Sequence, residues 1–337
     1  MSRPNVLLFG LGGIGGIYAC ILQLSGQCDV SVVARSNYEA VKNKGFYFIS
    51  NKFGNHDDIK FAGGTSCFPS CEDAAASGKK FDYVFCANKA LLDAKPSLAD
   101  QLSPIISAET SIVLLQNGVG AEAPLHDAFP SNTIISAVVW TGGRVAPPKD
   151  GKPGVENFNR EALTIGVDYR DGGDKAQEDE KLKRIIAVLE KGGSTCNVVG
   201  DIQSERWIKV IWNCCWNSLT TVTRQRTSTF FLSSEEALPL CFTVMREVEA
   251  VAKAKGLSIP EGTVDRLIKE CTDVKAGLPS SMLFDCLAQR AMEVEVILGT
   301  PLKEGKRLGV PVPTLTALYT IVKALDYANL HPDEIVL

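Results

Sequence analysis

Residues 5–24 read as a strand, a glycine turn and a helix in immediate succession. Asn5-Val-Leu-Leu-Phe9 is a short apolar run suited to a buried strand. Gly10-Leu11-Gly12-Gly13-Ile14-Gly15 follows at once, and from Ile17 to Leu24 the apolar residues recur with helical spacing. A G-x-G-x-x-G at such a junction lets main-chain N–H groups approach a pyrophosphate, and the helix N-terminus favours its negative charge. The spacing alone is weak evidence, and a glycine-rich structural turn is the alternative. The strand before it and the helix after it direct the reading toward a dinucleotide, and so toward redox chemistry. Gly10, Leu11, Gly12, Gly13, Ile14 and Gly15 are the candidate cofactor-binding residues of this turn.

Further strand signals fit the same architecture. Val30–Ala34, Tyr83–Ala87, Ser111–Leu115, Ile134–Trp140, Leu163–Val167 and Asn197–Val199 are short apolar runs, and Phe46–Phe61 is a looser, strand-like stretch. With helices between several of them, they predict an α/β fold: a Rossmann-type, doubly wound, mostly parallel sheet covered on both faces. The Gly/Lys/Asp-rich stretches 147–154 and 168–175 read as exposed loops. From Ile202 onward the pattern turns helical. Helices are expected over 202–221, 235–255, 262–272, 281–298 and 314–325, with Gly256, Gly277, Pro279 and Gly299-Thr300-Pro301 as breaks. The chain of 337 residues is long enough for two domains, a cofactor-binding domain over 1–201 and an all-helical domain over 202–337.

Charge and cysteine content narrow the partners. A net charge of −4 gives no electrostatic footprint for nucleic acid, and no apolar run approaches the ~20 residues that span a bilayer. The first strand begins so early that no signal peptide is expected ahead of it, which places the protein in the cytoplasm. Eleven cysteines, without paired C-x-x-C modules and with only three scattered histidines, predict no metal site. They read as small buried apolar residues in a reducing compartment.

Single residues at strand ends carry the next inferences. Arg35 follows the second strand where an NAD-binding chain would place an acidic residue for the ribose; with Ser36 it suits a 2′-phosphate instead, hence NADP(H). A solvated surface arginine is the alternative. Lys89 and Asn117 follow two later strands, at the sheet edge where ligands of open α/β folds bind. Each could equally be an ordinary polar loop residue.

The strongest chemical signal is Arg206-Trp-Ile-Lys209-Val-Ile-Trp-Asn213-Cys-Cys-Trp-Asn217. Residues four apart drift by only about 40° on a helix, so Lys209, Asn213 and Asn217 share one face. Their neighbours Trp207, Ile208, Val210, Ile211, Trp212, Cys214, Cys215 and Trp216 are apolar, and a narrow polar stripe on a largely buried helix needs a partner, a ligand or a wet cleft. The alternative is a stripe turned to solvent. A lysine there suits carbonyl reduction, since an ammonium stabilises negative charge on oxygen and donates the proton. Ser281, after Pro279, begins another helix and is placed to hold a substrate carboxylate; Glu293, three turns further along, is placed to orient the lysine or a substrate hydroxyl. A capping serine and a surface glutamate are the competing reading of that pair.

In combination these residues resemble the ketopantoate reductases (2-dehydropantoate 2-reductases), over nearly the whole chain. The resemblance implies a Rossmann domain followed by a 6-phosphogluconate-dehydrogenase-like helical domain, with the active site in the cleft. It implies NADPH-dependent reduction of a 2-keto acid to the (R)-2-hydroxy acid, which in pantothenate synthesis is 2-dehydropantoate to pantoate. Lys209 would be the general acid, with Glu293 supporting it. Asn117, Asn213, Asn217 and Ser281 would contact substrate or cofactor, and Arg35 the 2′-phosphate. The resemblance also allows a homodimer. The chain departs from the family pattern at Leu298, at Ser218, and in the asparagine-free segment 223–230, which turns attention to other 2-keto acids. A non-catalytic NADPH-binding protein is the second class, disfavoured by the retained Lys209 and Glu293.

Overall fold

A computed structural model describes residues 3–61, 66–158 and 160–334. Its strands are β1 (Asn5–Phe9), β2 (Asp29–Val33), β3 (Phe46–Ser50), β4 (His56–Ile59), β5 (Cys67–Phe68), β6 (Tyr83–Cys86), β7 (Ser111–Leu114), β8 (Ile134–Val139), β9 (Gly143–Lys149), β10 (Lys152–Asn157), β11 (Leu163–Val167) and β12 (Cys196–Val198). Its helices are α1 (Gly13–Ser25), α2 (Tyr38–Lys44), α3 (Cys71–Ala76), α4 (Leu98–Leu102), α5 (Glu122–Ala128), α6 (Lys175–Lys191), α7 (Ile202–Thr223), α8 (Thr227–Leu232), α9 (Ala237–Ala254), α10 (Thr263–Thr272), α11 (Ser281–Leu287), α12 (Thr300–Leu308) and α13 (Pro313–Leu330).

Contacts divide the chain into two units. The first comprises 1–89, 95–116 and 122–202; the second comprises 90–94, 117–121 and 203–337. The sequence division at residue 201 leaves the short segments 90–94 and 117–121 in the first domain, whereas their contacts give them to the second. Each follows directly on a strand end, after β6 and after β7. Their backbone groups are taken up by helical-unit residues: Ala90 N–H donates to Glu293 Oε1, and Val119 N–H donates to the Val296 carbonyl.

The first unit is built on an eight-stranded sheet of order β12-β11-β8-β7-β6-β1-β2-β5. All its pairs are parallel except β8–β11. That is the Rossmann-type doubly wound sheet with a helical region after it, as the sequence predicts. The chain winds outward in both directions from β1 and β6, so the crevice for a ligand lies past the ends of those two strands. Both faces are buried: Val6, Leu8, Phe85 and Ile135 pack on one face with Ile21 and Leu189 of the covering helices α1 and α6, and Leu7, Val84, Ile112 and Ile134 on the opposite face are equally inaccessible.

A second sheet, of order β4-β3-β10-β9, corrects the reading of 147–154 as a loop. Lys149 pairs with Lys152 across Asp150-Gly151, whose φ angles of 51° and 75° make a two-residue hairpin turn. Pro147 and Pro148 are tolerated on β9 because it is an edge strand and because they fall in an irregularity of its ladder, between the Lys149–Lys152 and Ala146–Gly154 pairs, where neither has a register partner.

The second unit is helical around a core of Trp207, Val210, Ile211, Met245, Val248 and Leu315. α7 runs until Arg224, which takes φ 55°. α13 begins at Pro313, with Glu247 from α9 accepting the free N–H groups of Thr314 and Leu315 at 3.0 and 2.8 Å.

The expected helix over 281–298 is two helices. α11 stops at Leu287, Gln289 takes φ 51°, and Arg290 N–H returns to the Asp285 carbonyl. Conversely, Gly299-Thr300-Pro301 is no break. A π-helical turn over Glu295–Gly299 runs directly into α12, its N–H(Thr300) to Glu295 carbonyl bond spanning five residues. Proline explains the widened turn. Pro301 has no N–H for the Ile297 carbonyl, and the π turn leaves that of Val296 unclaimed. Cys214 Sγ–H donates to Ile297 and Val119 N–H to Val296, so both acceptors are satisfied from outside the helix.

Candidate active site

In the first unit the glycine turn is shaped by close backbone approach. Gly10 has φ 98°, and a side-chain carbon there would lie 2.5 Å from the Asn88 nitrogen. One at Gly15 would lie 1.9 Å from the Gly10 carbonyl oxygen. At Gly12, the N-cap of α1, such a carbon would meet nothing within 4 Å. Two glycines thus let strand and helix pack, and the third leaves an open approach to the first-turn N–H groups around Gly13 and Ile14. Leu11 is buried beneath the turn. This geometry fits a dinucleotide pyrophosphate.

Arg35 is exposed just past β2, and Lys89 is exposed just past β6. The ends of β6 and β7 are tied together, since Gln116 Nε2 donates to the Asn88 carbonyl at 3.0 Å and to its Oδ1 at 3.1 Å.

In the second unit the polar stripe of α7 is present as predicted. Asn213 and Asn217 are 7% and 6% exposed, and among the described residues neither side chain carries a hydrogen bond. Neither amide is among the buried polar atoms left without a partner, so on this face their polar ends reach accessible space in which a polar ligand can bond them. The indole N–H of Trp216, on the same face, is buried and has no partner among the described residues. Trp216 stacks edge-on against Trp212 and Phe231, with ring centroids 5.8 and 5.6 Å apart, which gives this face an aromatic wall.

Lys209 stands one turn before Asn213 and is partly buried. Loss of hydration, reinforced by the neighbouring Arg206 guanidinium, pulls its pKa from 10.5 down to about 8, while the Glu293 carboxylate acts in the opposite direction. Glu293 is 7% exposed and lies just before the π turn, not on the helix of Ser281. Its Oε1 accepts the Ala90 N–H at 3.0 Å. The structure therefore brings Lys209 and Glu293 into one electrostatic neighbourhood, from two elements that the sequence had separated.

Arg206 is a residue that sequence reasoning left without a role. It is 2% exposed, and Nη2 donates to the Gly118 carbonyl at 2.6 Å. The signal was its place in the stripe, one turn before Lys209. The bond fixes the turn that carries Asn117, which is partly buried. Gly118 has φ 85°, and a side-chain carbon there would sit 2.4 Å from Val296 Cβ, so no other residue fits between that turn and the π segment.

At the far end of the stripe the cap of α11 is Ser280, not Ser281. Ser280 Oγ accepts the Leu283 N–H at 3.0 Å and is bonded to Thr220 Oγ1 at 2.7 Å. Ser281 is exposed. Its neighbour takes the capping role because it has the extended backbone that precedes a helix (φ −92°, ψ 158°). Among the described residues no group of three or more His, Cys, Asp or Glu could hold a metal ion, and no helix is long and apolar enough to cross a membrane.

Residues 6–152 match the family model described as Ketopantoate reductase PanE/ApbA, and residues 201–326 match its C-terminal counterpart. Among curated relatives, the 2-dehydropantoate 2-reductase of Mesorhizobium japonicum is 29% identical over 95% of this chain and 97% of its own. That of Nostoc sp. is 27% identical over 98% and 97%. The solved structure of 2-dehydropantoate 2-reductase from Methylococcus capsulatus superposes with a TM-score of 0.81 at 29% identity, covering 96% of this chain and 97% of that one.

Proposed function

Since the chain belongs to the ketopantoate reductase family, we propose that it is an NADPH-dependent reductase of a 2-keto acid, forming the (R)-2-hydroxy acid. 2-Dehydropantoate is the first substrate to test, and a different, bulkier 2-keto acid is the second. The observation that carries the reading is Lys209: a partly buried lysine with a pKa of about 8, beside a buried carboxylate and on one helix face with the amides of Asn213 and Asn217. A lysine in ordinary solvent would hold its proton too tightly to give it up readily at neutral pH.

Gly10–Gly15 would hold the pyrophosphate, Arg35 the 2′-phosphate, and Lys89 and Asn117 the remainder of the dinucleotide. When bound, NADPH supplies the hydride that reaches the keto carbon. The chain's residues do the rest. Asn213, Asn217 and Asn117 donate to the substrate's carboxylate and carbonyl, with the Ser281 hydroxyl as a further donor. The Lys209 ammonium hydrogen-bonds the carbonyl oxygen, stabilises its growing charge and transfers one proton to it, leaving a neutral amine that solvent reprotonates. Glu293 keeps Lys209 protonated in the resting state. A homodimer located in the cytoplasm completes the reading, and sedimentation velocity tests the oligomer.

The test is NADPH oxidation with a panel of 2-keto acids, 2-dehydropantoate included, beside Lys209→Ala. Turnover by the wild type, and its loss on the order of 10²–10⁴-fold in a variant that still binds NADPH, is the expected result. Unchanged turnover in Lys209→Ala refutes the general acid. NADPH binding without turnover of any keto acid replaces the reductase with a binding protein. Equal affinity for NADH and NADPH, unaltered by Arg35→Ala, removes Arg35 from the cofactor site.

A further inference from the structure

Helix α13 carries Tyr319, Lys323 and Asp326 at i, i+4 and i+7, a spacing that puts them on one face. All three reach the chain on either side of Glu293. Asp326 Oδ1 accepts the Met292 N–H at 2.8 Å, immediately before it. The Tyr319 hydroxyl donates to Glu295 Oε1 at 2.9 Å, and Lys323 Nζ lies 3.3 Å from the same oxygen. Lys323 also pairs with Asp93 Oδ2 at 2.5 Å. Asp93 belongs to the segment 90–94 whose Ala90 N–H donates to Glu293 Oε1. One helix face thus grips the backbone under Glu293 from both sides and the segment that supplies its hydrogen-bond donor. The Asp93–Lys323 pair alone is half exposed, and such pairs contribute only ~0–1 kcal/mol to stability.

We infer that the Tyr319–Lys323–Asp326 face of α13 positions Glu293, with Lys323 as the central positioning residue. It seats the carboxylate on Ala90 and so sets the direction from which that carboxylate acts on Lys209. This rests on the proposed role of Glu293 in the reductase reaction. Misplacement of a catalytic group by about 1 Å can cost 10²-fold in rate, far more than the pair's share of stability.

Two measurements on Lys323→Met test the inference. The first is kcat and KM with the best 2-keto acid, beside Lys323→Arg. The second is hydrogen exchange at the Ala90 amide, which does not depend on turnover. The expected result is a kcat at least 10-fold lower with an unchanged KM for NADPH, recovery of most of kcat in Lys323→Arg, and Ala90 exchange at least 10-fold faster while amides of α1 exchange as before. Asp93→Asn breaks the same link from its other end and should reproduce the pattern if Lys323→Met folds poorly. Unchanged exchange at Ala90 overturns the inference, as does a kcat within twofold of wild type. If the wild type reduces no 2-keto acid, the proposed reaction falls, and Ala90 exchange alone then decides whether α13 positions Glu293.

Discussion

Lys209 is where burial becomes chemistry. Its pKa of about 8 reflects lost hydration first and Arg206 second, against the pull of Glu293. Reduction needs the ammonium form, so kcat/KM for the keto acid should be flat below this pKa and fall tenfold per pH unit above it. Oxidation of the hydroxy acid needs the amine and should rise through the same pH. Arg206→Met removes a repelling cation and should move both profiles to higher pH; a shift downward would contradict the stated cause. The sign for stability is separate. An unfolded lysine keeps its proton to about 10.5, so between pH 8 and 10.5 the unfolded chain binds more protons at this group, and its contribution to stability rises with pH there. The glycines of the turn divide in a similar way. Gly12→Ala meets open space and should leave the melting temperature unchanged while weakening NADPH binding at least 10-fold. Gly15→Ala collides with the Gly10 carbonyl and should destabilise the first unit itself. Paired thermal melts and cofactor titrations separate the two outcomes.

At the level of elements, local patterns were legible wherever the signal was continuous. The opening strand–turn–helix, the parallel sheet and the polar stripe of α7 are all written in adjacent residues. What escaped depends on partners distant in sequence. Gly299-Thr300-Pro301 reads as a break because proline removes a donor; the helix continues because Val119 and Cys214, 177 and 83 residues before their acceptors at Val296 and Ile297, supply replacements. The stretch 147–154 reads as a loop because Pro147 and Pro148 disguise β9, although Asp150-Gly151 makes the hairpin turn that joins it to β10. Glu293 was placed on the helix of Ser281, whereas it lies between α11 and the π turn, because the bonds that end α11 form only when Arg290 turns back to Asp285. The π turn gives a direct test. Cys214→Ser keeps a donor for the Ile297 carbonyl, whereas Cys214→Val fills the space and leaves that buried acceptor unmet, at about 1–3 kcal/mol. Urea unfolding should rank wild type and serine variant above valine by that margin; equal midpoints for serine and valine would show the thiol bond to be unimportant.

Across the whole molecule, cysteine usage is tied to the two cores. All eleven thiols are free, and ten are buried. Cys20, Cys28 and Cys67 lie in the core of the first unit; Cys214, Cys215, Cys241, Cys271 and Cys286 lie in that of the second. Burial pushes thiols upward in pKa in both: Cys28 and Cys67 to about 11 in the first, Cys271 to about 11 in the second. Cys196, the one partly exposed thiol, is itself raised to about 11 by burial. Since the thiolate is the reactive species, neither access nor ionisation favours modification of the folded chain near neutral pH. An aromatic disulfide reagent at pH 7.5 should therefore label at most one cysteine rapidly, and eleven after unfolding in guanidinium. The slow remainder should react at a common rate within each core, because each core's thiols become available only when that core opens. Rapid labelling of two or more would mean that one of the cores opens readily in the native state, and mass mapping of the labelled positions would identify which.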